Sequence, residues 1–286
     1  MNETYLLEDG VLNIVDDELG LNIKEPIDAT PLPQDLRSEA PTDCRLHLVT
    51  DEQGNIVEAA MEKEGLRFGE SCLFYPDGSK KSQCYYAQNQ LHGPSVFFNP
   101  DGTPLSKSWF VHGVQQGKSW QYYPNASLYS LCRYKDNARH GLQEYWHEDG
   151  QVKSRLPYLA GQLNGTVELY HLNGKKAREI PFSNGKRKGT EKTYNTHGIL
   201  IIEASFEGTR LIGQSRRWHD NGQLAEEKSY YDNPNKFDIR QWNLDGILLR
   251  EGLYTGDNFC HRIFDTTGAV VEEQSAHWDG TELVVS

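Results

Sequence analysis

The sequence predicts an all-β chain: an elongated, single-sheet, solenoid-like array of about nine 24-residue β-hairpin repeats. Three observations predict it. Glycine recurs every 24 residues, at Gly69, Gly93, Gly117, Gly141, Gly165, Gly189 and Gly213. A second glycine series runs through Gly54, Gly78, Gly102, Gly150, Gly174, Gly198, Gly222 and Gly246, in most copies behind Asp or Asn. Two columns at the same period are aromatic in all eight copies. One is Phe74, Phe98, Tyr122, Trp146, Tyr170, Tyr194, Trp218 and Trp242; the other is Tyr86, Phe110, Tyr134, Tyr158, Phe182, Phe206, Tyr230 and Tyr254. Aromatics are 11% of the chain, so chance does not give two unbroken columns.

The elements follow from the period. Residues before each Asp-Gly or Asn-Gly pair, such as L-F-Y, suit a strand, and residues after it suit a return strand. The pair itself supplies the positive-φ positions of a tight hairpin turn. A connecting loop such as V-H-G-V-Q-Q-G (111–117) leads to the next copy. A lone hairpin is barely stable, so stacked copies must bury each other's aromatics, here as structural ladders along one face. No 3.6-residue apolar stripe persists, so helix is not expected. The array spans 45–268, with Ala126 and Phe237 departing from the glycine series and the last copy shifted by two residues. Residues 269–286 read as a C-terminal cap, with T-E-L-V-V-S closing the edge.

Residues 1–44 lie outside the period and read as an acidic head and linker, serving as a cap. Y-L-L-E-D-G-V-L-N-I (5–14) suggests a hairpin around Asp9-Gly10, and the Pro-rich stretch 25–35 a linker. The head holds eleven acids against Lys24 and Arg37, a net −9 of the chain's −12. A sharper reading docks this acidic segment on a basic partner or on the chain's own strip.

The charge argues against nucleic acid and anionic lipid as general partners. Five cysteines without a C-x-x-C suggest free thiols in a reducing compartment. No stretch approaches a membrane span and the start lacks a secretory signal, so a cytoplasmic protein is expected, export by a signal-independent route aside. No catalytic motif is present, and neither an enzyme, a metal site nor a cofactor is expected. His147, His171 and His219 share one register and read as a surface ladder.

The unit carried by Y75-P-D-G-S-K-K-S-Q-C-Y-Y86 with L91-H-G-P94, and again around Trp146 to Tyr158 with L163-N-G165, resembles the MORN-repeat variant. It is similar in particular to bacterial repeat proteins described as YwqK-family antitoxin components. The resemblance implies a non-enzymatic scaffold that binds a protein partner, in the narrower form a neutraliser of a toxin. The residues offer one charge cluster as a candidate binding site: Lys186, Arg187, Lys188, Arg210, Arg216 and Arg217. Peripheral membrane association through these basic loops is the alternative.

Overall fold

The computed structural model describes residues 3–36, 43–231, 235–256, 258–278 and 283–285. Every regular element among them is a β-strand, and within each sheet the strands pair antiparallel in chain order. The chain divides into two compact units: residues 1–152 with 157–162, and residues 153–156 with 163–286.

The first unit holds a small head sheet and the first part of the array. The head is β1 (Glu3–Glu8), β2 (Val11–Asp16) and β3 (Leu21–Pro26), in the order β1-β2-β3. The expected Asp9-Gly10 hairpin forms, with φ +50° and +69°. The array begins with β4 (Arg45–Thr50), β5 (Ile56–Lys63), β6 (Leu66–Phe74), β7 (Lys80–Ala87), β8 (Gln90–Phe98) and β9 (Pro104–Val111). It goes on through β10 (Val114–Gln115), β11 (Gly117–Tyr122) and β12 (Leu128–Lys135). At the far end of the second unit, Leu283–Val285 pairs with Ala276–Trp278, closing the last hairpin.

Two turn classes alternate, and they are not distributed as the sequence suggests. At the Asp-Gly and Asn-Gly pairs of the 24-residue series that runs through Gly78, only the glycine is left-handed. Tyr75 N–H donates to Ser79 O at 2.9 Å, Gly78 N–H donates to Tyr75 O at 2.9 Å, and Gly78 has φ +87°. This is a type I turn with a bulge glycine rather than a two-residue turn. Ala126 keeps the same turn at φ +63°. The tight turns lie where connecting loops were expected. Gln88-Asn89, His112-Gly113, Asp136-Asn137 and Asn184-Gly185 are consecutive positive-φ pairs. Such type I′ turns match the right-handed twist of the strands, so the copies join hairpin to hairpin.

Both edges are stitched between copies. On the tight-turn edge, Asn89 N–H donates to Arg67 O at 3.0 Å, Gly113 to Leu91 O at 2.7 Å and Gly161 to Arg139 O at 2.8 Å. On the other edge a side chain clamps the next copy. Tyr75 Oη donates to Phe98 O at 2.9 Å and Tyr123 Oη to Trp146 O at 3.0 Å. His171 and His219 make the same contact by Nε2, to Tyr194 O and Trp242 O, at 2.9 and 3.0 Å. These histidines are architectural.

The two aromatic columns do not share a face. Tyr170 and Tyr194 donate to Glu168 and Glu179. Tyr254 stacks on Phe237 at 5.0 Å and contacts Arg250. Glu179 is joined by register to Glu251, next in sequence to Arg250, so strand alternation puts the columns on opposite sides. All sixteen residues are half-buried. Members of one column lie two strands, about 10 Å, apart, too far for ring contact. Rings meet instead where Phe237 replaces the periodic glycine: Tyr230, Phe237, Tyr254 and Phe259 form one run of contacts at 5.0–5.9 Å.

Candidate functional site

The head lies on one face of the array's first unit, and its core is shared with that face. Leu12, Ile14, Leu19, Leu21 and Ile27 are buried against Trp109, with Tyr5, Tyr85 and Trp120 packed around them. The stretch expected as a linker is part of this contact. Ile27 is in the core, Glu70 N–H donates to Thr30 O at 3.0 Å, and Leu32 N–H donates to Glu70 Oε2 at 2.9 Å. The acidic head therefore docks on the chain's own strip.

Acid–base pairs ring the contact. Glu3 meets Lys118, Glu18 meets Arg133 at 3.6 Å, and Lys135 Nζ donates to Leu19 O at 3.1 Å. Buried Asp16 accepts from Tyr5 Oη at 2.6 Å and from Leu19 N–H at 3.1 Å. Burial, then the Asp16 carboxylate, holds the Tyr5 phenol well above its usual range. The periodic glycines let the head approach. A Cβ on Gly117 would lie 2.3 Å from Tyr5 Cε1, and one on Gly69 2.8 Å from Thr30 O.

Glu25, His92 and His112 converge at the same contact. The Glu25 carboxylate is 3.3 Å from His112 Nε2 and 3.8 Å from His92 Nε2, and the two imidazoles stack at 4.2 Å. The trio has the composition of a metal site, but not its chemistry. His92 Nδ1 accepts the His112 backbone N–H at 3.0 Å, so the neutral ring carries its proton on Nε2, the atom facing Glu25. The ring planes are only 29° apart, which keeps both in-plane lone pairs from converging on one ion. Burial, then the neighbouring His112, depresses the His92 pKa, while Glu25 raises it.

Each unit carries its own transverse row of paired residues, and the two rows differ in chemistry. In the first unit that row runs Leu48, Ala59, Cys72, Gln83, Val96, Lys107, Trp120, Leu131, Glu144. In the second it runs Arg155, Glu168, Glu179, Lys192, Glu203, Arg216, Glu227, Arg240, Glu251, Arg262, Glu273, each directly opposite the next. From Glu179 onward the sign alternates at every strand. The one like-charged neighbour pair, Glu168 and Glu179, is bridged by Lys176 Nζ at 2.7 and 2.5 Å. Arg216 bonds Glu227 at 2.8 Å, and Arg262 lies 3.7 Å from Glu251 and 3.9 Å from Glu273.

The basic residues singled out in the sequence belong to this background. They lie in strands, Lys186–Tyr194 and Arg210–Trp218, rather than in loops. Alternation sends Arg216 and Arg217 to opposite faces, where each meets its own acid, Glu227 and Glu226. Arg187 covers the Phe206 ring at 5.1 Å and bonds Glu191 at 3.3 Å. Lys188 and Arg210 flank Glu207 in register, while Lys186 starts its strand exposed. The six do not form one cationic patch. The charged row was missed, although it is written in the sequence as alternating steps of 13 and 11 residues from Arg155 to Glu251, followed by further steps of 11 to Arg262 and Glu273.

Three stretches match the family model of the MORN repeat variant: residues 139–160, 163–184 and 211–233. They carry the architecture described above, and the chain is a β-hairpin repeat scaffold. No curated protein matches it. Among solved structures, similarity is found to TcdB2-TccC3-TEV, at 13% identity over 84% of this chain and 16% of that chain, TM-score 0.20. A Photorhabdus luminescens Tc holotoxin pore follows at 11%, 85% and 14%, TM-score 0.17. A porin-like protein from Bacteroides uniformis follows at 12%, 72% and 92%, TM-score 0.16. The chain spans about a sixth of the length of the first of these. No helix among the described residues is long and apolar enough to cross a membrane.

Proposed function

We propose that the chain is a non-enzymatic scaffold that binds a protein partner across the charged face of its second unit. The alternating row carries this reading. Its arginines are 40–60% exposed at Arg216, Arg240 and Arg262, yet each has an acid beside it. A surface of fixed, compensated charges suits recognition of a protein with complementary charge order. It does not suit an anionic membrane, which rewards uncompensated cations. The narrower role, neutralising a toxic partner, has support from the repeat's resemblance alone. Affinity capture from native lysate tests the proposal, with wild type beside Arg216→Glu/Arg240→Glu. One recurrent protein held by wild type and lost from the variant is expected. Absence of any recurrent protein overturns it. So does flotation with anionic vesicles that Lys186→Glu/Arg187→Glu/Lys188→Glu abolishes, which is the outcome the membrane alternative requires. Co-expression with a captured partner that is toxic on its own tests the neutralising role.

A further inference from the structure

The head sheet has an open edge. Its order is β1-β2-β3, so β1 pairs with β2 on one side and with no strand on the other among the described residues. An edge strand leaves the N–H and C=O groups of alternate residues unpaired, a template for a further strand. Under β1 the molecule holds a cleft of about 290 Å³, walled by Tyr5 and Leu7 of the head and Tyr85, Val96 and Trp109 of the array.

Two polar groups in this cleft have no partner of the kind they need. The Trp109 side chain is 98% buried by its relative exposure of 2%, and its Nε1–H has no acceptor. Lys107 also lines the cleft, with its ammonium 4.8 Å from the Trp109 ring and no carboxylate in ion-pair distance among the described residues. Burial depresses the Lys107 pKa, the sign of a cation lacking a counter-charge. Elsewhere the head's contact is ringed by matched acid–base pairs, so Lys107 stands out. A carboxylate entering the cleft would accept from both Lys107 Nζ and Trp109 Nε1, and its apolar neighbours would meet Leu7 and Val96.

We infer that β1 and the cleft beneath it form a docking site for an extended acidic peptide, which adds as a fourth strand to the head sheet and places an Asp or Glu side chain between Lys107 and Trp109. This deepens the scaffold reading by adding a second, chemically distinct site, and it does not use the charged row.

Random peptides displayed on phage and selected on the full-length chain test it. Enriched sequences with apolar residues in alternation around an Asp or Glu are expected. A synthetic peptide of that pattern should bind at least 10-fold more weakly when its acid is changed to the amide, and Lys107→Met should remove that difference while leaving the thermal midpoint in place. The Trp109 indole N–H resonance, assigned by its loss in Trp109→Phe, should shift downfield on binding. Enrichment without an acid, an acid preference that survives Lys107→Met, or an unmoved Trp109 resonance overturns the site. Arg216→Glu/Arg240→Glu should leave peptide binding unchanged. A bound peptide with no protein captured from lysate therefore sinks the charged-row reading and not this one.

Discussion

Single residues carry two departures from the repeat with opposite consequences. Ala126 takes the bulge position of its turn at φ +63°, where the other copies place glycine. An L side chain in that region costs about 1 kcal/mol, so Ala126→Gly is expected to raise stability by roughly that amount in urea titration. His92 carries the other. The tight-turn edge uses the same bond elsewhere with an amide, at the same 20-residue separation: Asn184 N–H donates to Asn164 Oδ1, as His112 N–H does to His92 Nδ1. His92→Asn should therefore keep the bond and remove the titration. A histidine with a depressed folded pKa contributes stability above its ordinary value of 6.5, and that stability falls as pH drops from there towards the folded value. His112 faces it on one side and Glu25 of the head on the other. The thermal midpoint of wild type is expected to fall between pH 7.5 and 5.5 by more than that of His92→Asn; parallel profiles would show that His92 does not titrate against the docked head.

At the scale of elements, the repeat glycines do two jobs that a sequence column cannot separate. Gly117 and Gly213 occupy the same register, at φ +73° and +63°. A Cβ at Gly117 would strike the Tyr5 ring, whereas one at Gly213 meets nothing within 4 Å. Gly213→Ala should then cost only the backbone strain, about 1–2 kcal/mol. Gly117→Ala should add the overpacking of Tyr5, roughly 1–3 kcal/mol more, and expose the head to limited proteolysis. Equal losses in chemical denaturation would mean the head does not press on the sheet. The strands, their period and the hairpin repeat were legible because glycine and aromatics mark every copy. The turn assignment was not, because type I′ pairs such as Gln88-Asn89 and Asp136-Asn137 contain no glycine, while the conspicuous Asp-Gly pairs need only one left-handed residue. Head docking was legible only as charge. The partners Glu25 and His112, or Glu3 and Lys118, lie far apart in the chain and share no period.

Over the whole molecule, the two units solve the thin-core problem differently. In the first, the head supplies a second layer, and large side chains such as Trp109, Leu12 and Ile14 become fully buried. Among the described residues, the buried apolar ones of the second are Val167, Ala204, Ala225, Ile239 and Ala276, mostly small. Less apolar area leaves water there, so hydrophobic burial stabilises that unit less. Its sheet leans instead on the row of cross-strand ion pairs, each worth about 0.2–1 kcal/mol when exposed. Those pairs are screened by salt, whose Debye length falls to about 3 Å at 1 M. Amide exchange is therefore expected to be faster across residues 163–256 than across β5 to β12. Adding 1 M NaCl should increase exchange in the second unit while leaving the first nearly unchanged. If both units are protected alike and salt moves neither, the charged row holds no structural weight, and its strict alternation would have to be accounted for by recognition alone.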